Sequence, residues 1–202
     1  MADSEQDAPE MQAPRAVCRE DDEDARLVAQ FLRGEAAAFD LLVQAHQDRI
    51  ARLAHRLLGW SGEVDDVVQE VFLAAFKNLR KFRGDCRVST WLTTVTLNEC
   101  RSARRRRFMR LTRLRRLSEE PRPAASSAAA DEGRDPAALE RIRGAVRTLP
   151  AKYREVVVLR YLEEMPVAEV GRALGLSAGA VGVLLHRARA RLKDRLADLV
   201  EE

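Results

Sequence analysis

Apolar residues recur at spacings of three and four through the first half of the chain. This spacing predicts a short helix ending near Gly34, a long amphipathic helix that stops at Gly59, a third helix over residues 64–79 and a fourth that begins near Ser89. No segment of any length alternates apolar and polar residues, as a half-buried strand would. The pattern therefore predicts an all-α fold.

The last third of the chain gives a different arrangement of shorter helices. Apolar stripes run over residues 139–149 and 150–162, and a further helix over residues 167–174 stops at Gly175. Ser177 is a suitable N-cap for a final helix. Two helices joined by a tight turn containing glycine are typical of a helix-turn-helix, whose second helix enters the major groove of DNA.

A segment poor in apolar residues separates these two parts. Residues 118–138 read SEEPRPAASSAAADEGRDPAA and contain three prolines, which is typical of a flexible linker. Eight of the ten aromatic residues precede it. We therefore predict two small helical domains with separately packed cores, residues 25–117 and residues 139–202.

Charge is strongly segregated, although the whole chain carries only +3. Residues 1–24 carry nine acids and two bases, a net charge of −7, and are predicted to be a disordered acidic tail. Residues 101–117 contain nine arginines and no acid, a composition suited to binding polyanions. The tail is either an inert end or an intramolecular polyanion that screens this arginine block.

Several classes of protein are disfavoured. The longest uncharged run has 13 residues, fewer than the roughly 20 that span a bilayer. The acidic start MADSEQDAPE has no apolar signal segment, and three cysteines without a CxxC pair fit a reducing compartment. We therefore expect a cytoplasmic protein without membrane insertion. No glycine-rich phosphate loop, nucleophile–base pair or metal-ligand cluster is visible, so we expect no enzyme activity, no cofactor and no metal.

Two blocks of motifs resemble the extracytoplasmic-function (ECF) sigma factors of the sigma-70 family. Residues 64–107 resemble their region 2 and residues 149–193 resemble their region 4. The matching positions are Asp65, Asp66, Gln69, Glu70, Phe72, Ser89-Thr90-Trp91-Leu92, Asn98, Leu149-Pro150 and His186-Arg187-Ala188-Arg189. The resemblance implies a protein that binds core RNA polymerase, recognises a promoter and initiates transcription of a stress or envelope-type regulon.

The resemblance assigns the polar face of the third helix to polymerase binding. In the family, this helix contacts the clamp of the β′ subunit, and the corresponding residues here are Asp65, Asp66, Gln69 and Glu70. Carboxylates and amides in a row can pair with Arg and Lys of a partner helix. The alternative is a merely solvated acidic face. Further partners implied by the resemblance are the β flap and an anti-sigma factor.

The following loop and helix resemble the segment that reads the −10 promoter element, where a base is flipped out of the duplex. Unstacked bases are held by positive charge and by planar or polar side chains. The candidates are Arg83, Arg87, Trp91, Asn98, Arg101, Arg104 and Arg105. The alternative role for Trp91 is packing in the hydrophobic core. The alternative role for Asn98 is a hydrogen bond to the nearby backbone.

The helix that resembles the reader of the −35 element departs from the family pattern. Between Ser177 and His186, no side chain can donate or accept a hydrogen bond, so bidentate base readout is impossible there. The remaining candidates are Ser177, His186, Arg187 and Arg189. Recognition of −35 is then weak, or depends on Ser177, backbone shape and methyl contacts such as Val183. Another possibility is that the apolar surface at Val183 and Leu184 docks a protein.

A stand-alone helix-turn-helix repressor or activator is the main alternative function. Such a protein would bind operator DNA without polymerase. It gives no role to the polar face at residues 65–72, and the linker offers no dimerisation helix.

Overall fold

The computed structural model describes residues 19–59, 62–115 and 136–197, and every regular element in these ranges is helical. The predicted all-α fold is therefore confirmed. The first four helices are α1 (Arg19–Leu32), α2 (Ala37–Leu58), α3 (Val64–Asn78) and α4 (Val88–Arg115). The C-terminal helices are α5 (Pro136–Arg147), α6 (Ala151–Val157), α7 (Val167–Leu174) and α8 (Ala178–Arg195).

Helices α1 to α4 form a bundle around apolar side chains. Leu53, Leu57, Val71 and Leu97 are fully buried, and α2, α3 and α4 pack against one another pairwise. Gly59 ends α2 with φ at +78°, a left-handed conformation that glycine adopts without steric cost. The predicted long helix and its end are thus observed.

The first helix corrects the predicted extent of the acidic tail. Because α1 begins at Arg19, the prediction that residues 1–24 are disordered is wrong for residues 19–24. Asp24 is buried, and His46 Nε2 lies 3.0 Å from each of its carboxylate oxygens. This pair and the buried Leu27 and Phe31 dock α1 on the bundle. Residues 1–18 lie outside the described ranges.

The C-terminal helices contain the predicted helix-turn-helix. Helices α7 and α8 meet at 98°, and Ser177 Oγ caps α8 by accepting a hydrogen bond from the backbone N–H of Ala180 at 3.2 Å. A Cβ added at Gly171 would lie 2.6 Å from the carbonyl oxygen of Leu176, so only glycine fits there. The turn therefore depends on a glycine as well as on the cap.

Helix α6 is covered on all sides and joins the two halves. It continues as a π-helical turn, Val158–Leu162, and the consecutive apolar residues Val156, Val157, Val158 and Leu159 are all buried. Four successive residues point to every side of a helix. Buried residues of both halves form one continuous cluster, and α6 packs against α2. The prediction of separately packed cores is therefore wrong.

The domain boundaries shift slightly around the predicted linker. Helix α5 starts at Pro136, so the last three residues of the predicted linker, 136–138, are helical. Helix α4 continues to Arg115, and residues 116–135 lie outside the described ranges.

None of the described helices is long and apolar enough to cross a membrane by itself. The two helices of the helix-turn-helix meet the length and composition criteria only when taken together.

Candidate nucleic-acid and protein interfaces

The predicted −10 residues of α4 follow one face of the helix. Positions 87, 91, 94, 98, 101 and 105 are spaced alternately by four and three residues, which places them in a single stripe. Arg87, just before α4, and Asn98 and Arg105 within it are exposed. Arg83, in the preceding loop, is exposed as well. The stripe thus combines cations with a planar side chain and an amide.

Trp91 contributes to packing as well as to this stripe. Its side chain is half-buried, and its ring centroid lies 5.4 Å from that of Phe82. Arg49 of α2 fixes the same turn by donating hydrogen bonds to the Ser89 carbonyl oxygen and to Thr93 Oγ1, both at 3.1 Å. The start of α4 is therefore held in place from two sides.

Arg101 and Arg104 are paired with a carboxylate from the other half of the chain. Arg101 donates to Glu155 Oε2 from Nη2 at 2.7 Å and from Nε at 3.2 Å. Arg104 Nη2 donates to Glu155 Oε1, and its Nη1 donates to the Leu57 carbonyl oxygen at 3.3 Å. Glu155, on α6, is only 4% exposed. Two arginines that were predicted to contact DNA are thus paired with a carboxylate of the C-terminal half in this structure.

The neighbouring Arg154 extends the contact onto the end of α2. Its Nη1 donates to the Leu58 carbonyl oxygen at 2.8 Å. A Cβ added at Gly59 would lie 1.8 Å from the same nitrogen, so Gly59 is needed for the approach. Burial lowers the pKa of Arg154, and repulsion from Arg104 lowers it further.

A second carboxylate, Glu163, crosses between the halves next to the π-helical turn. It accepts hydrogen bonds from Arg49 Nη2 at 2.7 Å and from Arg56 Nη1 at 3.4 Å, and its side chain is 5% exposed. Sequence reasoning did not identify Glu155 or Glu163. The signal available was the apolar run over residues 156–159, which implies a helix that needs cover from outside its own domain.

The acidic face of α3 lines a groove shared with the C-terminal half of α4. The open groove, of about 620 Å³, is bordered by Asp66, Gln69 and Glu70, and its apolar wall includes Leu73 and Met109. Asp65, Asp66 and Gln69 are exposed. The structure therefore brings three of the four predicted polymerase-binding residues to one groove.

Two ion pairs fasten the arginine-rich end of α4 along this groove. Arg106 Nη2 lies 2.8 Å from Glu70 Oε2, and Arg110 pairs with Glu63. Glu99 faces Glu70 from α4. Partial burial and then repulsion from Glu70 raise the pKa of Glu99.

The candidate −35 face of α8 has few polar groups at its start. Gly179, Gly182 and Val183 are exposed there, and the Ser177 hydroxyl is engaged in its capping bond. His186, Arg187 and Arg189 are exposed two turns later. The basic side chains of this helix thus lie beyond its first two turns.

The described part of the chain contains two free thiols, Cys86 and Cys100. No group of three or more His, Cys, Asp or Glu residues there could hold a metal ion. Burial raises the pKa of the Cys100 thiol to about 12, and burial also raises the pKa of Cys86. Both thiols are therefore poor nucleophiles at neutral pH.

Comparison with known proteins identifies both halves. The family model for sigma-70 region 2 matches residues 42–108, and that for sigma-70 region 4 matches residues 139–192. The ECF RNA polymerase sigma factor SigM of Mycobacterium tuberculosis is 31% identical over 183 residues, covering 90% of this chain and 88% of the relative. SigW of Bacillus subtilis, another ECF RNA polymerase sigma factor, is 29% identical over 179 residues, covering 85% and 96%.

A solved structure shows the same fold. CnrH in complex with the cytosolic domain of CnrY has 33% sequence identity and a TM-score of 0.62, covering 88% of this chain and 99% of that one. The two family matches, the relatives at about 30% identity and this shared fold agree with the motif resemblance. The chain belongs to the ECF sigma factors of RNA polymerase.

Proposed function

We propose that this sigma factor contacts promoter −10 DNA through the stripe along α4, which combines exposed and half-buried side chains. The observation that carries the proposal is the alignment of Arg87, Trp91, Asn98, Arg101 and Arg105 on one helix face. Cations along a strand bind its phosphates, while an aromatic ring and an amide suit an unstacked base. Arg83 in the preceding loop and Arg104 at the edge of the stripe extend the same positive surface.

The acidic groove formed by α3 and the end of α4 is the proposed contact with the β′ clamp of core polymerase. The exposed carboxylate of Asp66 in the groove and that of Asp65 beside it match a basic partner helix. Leu73 and Met109 supply apolar contact next to them. A stand-alone repressor would leave this surface without a role.

Helix α8 is proposed to hold −35 DNA mainly through phosphates. Arg187 and Arg189 supply positive charge, and the His186 ring beside them can hydrogen-bond to a phosphate. Phosphate contacts position a protein without reading sequence. Ser177 supports this role indirectly, since its hydroxyl caps the helix.

The proposed partners further include the β flap of polymerase and an anti-sigma factor. The anti-sigma proposal is supported by the solved complex of CnrH with the cytosolic domain of CnrY. We also propose that the protein acts in the cytoplasm on a stress or envelope-type regulon, and that it initiates transcription without catalysing a reaction of its own.

A pull-down with core polymerase, followed by run-off transcription, tests the polymerase contact. Asp66→Lys should weaken binding to core polymerase at least tenfold, about 1.4 kcal/mol, because it places a cation against the basic partner. Asp40→Lys is the matched control, since Asp40 is an exposed carboxylate on α2 outside the groove. Equal binding by the two variants would contradict the assignment of this groove.

A further inference from the structure

We propose that Phe108 is a further DNA-contacting residue, whose ring stacks on an unpaired base of the promoter at the far end of the α4 stripe. Its side chain is 70% exposed, the largest exposed fraction among the large apolar residues of the described ranges. This inference rests on the −10 role proposed above for the stripe and adds a second aromatic contact to it.

Phe108 continues the spacing that defines the stripe. The alternation of four and three residues that links positions 94, 98, 101 and 105 goes on through positions 108 and 112. Thr112 Oγ1 donates a hydrogen bond to the Phe108 carbonyl oxygen at 2.9 Å, one helical turn further along α4. The ring of Phe108 therefore lies on the same side of the helix as Asn98 and Arg105.

The two sides of the arginine-rich end of α4 differ in their surroundings. Arg106 and Arg110 form ion pairs with glutamates on the side of α3. Phe108 does not border the groove that these pairs follow, and Arg105, one turn before it, is exposed. The positive charge next to the ring thus lies on the side away from the acids of α3, where it attracts a polyanion.

An open cleft beside Phe108 has room for a base. Its volume is about 500 Å³, and its border includes Phe108, Met109, Thr112 and Arg113. Sites of roughly 300–1,000 Å³ hold drug-sized ligands, so a single nucleobase fits. The aromatic ring supplies a surface for stacking, and the Arg113 guanidinium supplies a cation for a neighbouring phosphate.

Unpaired DNA is the occupant that matches this chemistry. Bases within a duplex are stacked on one another, so only an unpaired base offers a free face to the ring. Residues 101–117 contain nine arginines and no acid, a charge that attracts a phosphate backbone and repels a basic protein surface.

Trp91 and Phe108 are far enough apart to contact different nucleotides. They are separated by 17 positions of one helix, which is about 26 Å at 1.5 Å per residue. A stacked strand advances 3.4 Å per nucleotide, so this distance corresponds to about seven nucleotides. The ring of Phe108 therefore adds a contact and does not duplicate that of Trp91.

The test uses holoenzyme assembled from core polymerase and the full chain, with a fluorescent promoter selected in vitro by this holoenzyme and left unpaired in its −10 region by mismatches. Phe108→Ala should weaken binding about tenfold, or about 1.4 kcal/mol, as expected for one stacked base. Phe108→Trp should keep the affinity within twofold because it keeps a planar ring. Phe108→Leu should lose affinity as the alanine variant does, and wild-type affinity of the leucine variant would overturn stacking.

Leu41→Ala is the matched control. Leu41 is a 50% exposed apolar side chain on α2, outside the stripe and the acidic groove, and its loss should change promoter binding less than twofold. Phe108→Ala should bind core polymerase as the wild-type chain does and melt at the same temperature, because the side chain is exposed. A parallel loss of core binding would assign Phe108 to the polymerase contact and overturn the proposal.

A scan of abasic sites identifies the base that Phe108 contacts. When single bases are removed from the unpaired strands, wild-type holoenzyme should lose affinity about tenfold at one position where Phe108→Ala loses nothing further. That position should differ from the one that becomes insensitive in Trp91→Ala. If Phe108→Ala remains sensitive at every position where the wild type is sensitive, the ring does not stack on a base.

Arg105→Ala distinguishes failure of this inference from failure of the proposed function. If Arg105→Ala weakens promoter binding and Phe108→Ala does not, the stripe contacts DNA and the stacking role of Phe108 is wrong. If neither variant weakens binding, the DNA contact at this end of the stripe is wrong, and the role of Phe108 falls with it.

Discussion

Helices α4 and α8 both carry arginines on their proposed DNA-binding surfaces, but they differ in the side chains beside those arginines. The stripe of α4 includes Trp91 and Asn98, which can stack on a base or hydrogen-bond to it. The exposed start of α8 has Gly179, Gly182 and Val183, which cannot form such hydrogen bonds. We therefore propose that α4 reads the promoter sequence, whereas α8 positions the protein through phosphate contacts.

The largest expected effect comes from displacing α8. Gly171→Ala places a Cβ against the Leu176 carbonyl oxygen, a clash with backbone that costs about 2 kcal/mol and moves the helix-turn-helix. Holoenzyme should then bind all promoters more weakly and keep its ranking of promoter sequences. A changed ranking of promoter sequences in a competitive binding assay would contradict this difference between α4 and α8, since it would show that α8 reads bases.

A smaller but more specific effect is expected in α4. Asn98→Ala should weaken binding of an optimal −10 promoter about tenfold, or about 1.4 kcal/mol, and flatten the preference at one base position. Arg105→Ala serves as the control on the same stripe, since loss of a phosphate contact lowers affinity for every sequence alike. Binding to a panel of −10 variants measures both. If Asn98→Ala leaves the base preference of the protein unchanged, Asn98 does not read a base.

Gly182→Ala tests whether the backbone of α8 approaches DNA closely at this position. A Cβ at this exposed position meets no atom within 4 Å, so the variant should gain up to about 1 kcal/mol from helix propensity. Its melting temperature should rise by about 2 to 4 °C. Promoter affinity should not change. Lower affinity in a better-folded protein would mean that the helix backbone approaches DNA closely at Gly182.

The smallest effect is expected for Glu99, which lies on α4 outside the proposed −10 stripe and faces Glu70 of α3. The pKa of Glu99 is raised by partial burial and by Glu70, so the folded protein holds a proton more tightly and loses stability as pH rises through this range. Glu99→Gln should therefore stabilise the protein at pH 7 by less than about 0.5 kcal/mol, because solvent screens the site. Thermal unfolding at pH 5 and pH 7 would show the gain at the higher pH. Promoter binding should remain unchanged, which distinguishes this side from the stripe.

Much of the fold could be predicted because local signals decided it. Gly34, Gly59 and Gly175 have positive φ angles where helices were expected to end, and Ser177 caps α8 as its position indicated. Val181, Leu185 and Ala188 recur at helical spacing along α8, and all three are buried. These features depend on neighbours within a few positions.

The contact between the halves could not be predicted in the same way. Glu155 is 54 residues from Arg101, and a chain with 35 basic and 32 acidic residues offers too many possible pairs for composition to select one. Asp24 was assigned to a tail for a related reason: its acidic neighbours dominate the composition, while its partner His46 is 22 positions away. Roles assigned to site residues came from the resemblance to a family and stay predictions.

The π-helical turn that follows α6 makes the joining of the halves sensitive to a single residue. Its hydrogen bond runs from the Glu163 N–H to the Val158 carbonyl oxygen at 3.0 Å, one residue further than in an α-helix. A one-residue deletion that restored α-helical bonding would rotate the following chain by about 100°. Glu163 would then leave Arg49, and the helix-turn-helix would be presented in another direction. In genetic terms, an in-frame deletion of one codon here should preserve every motif and still change how the two halves meet.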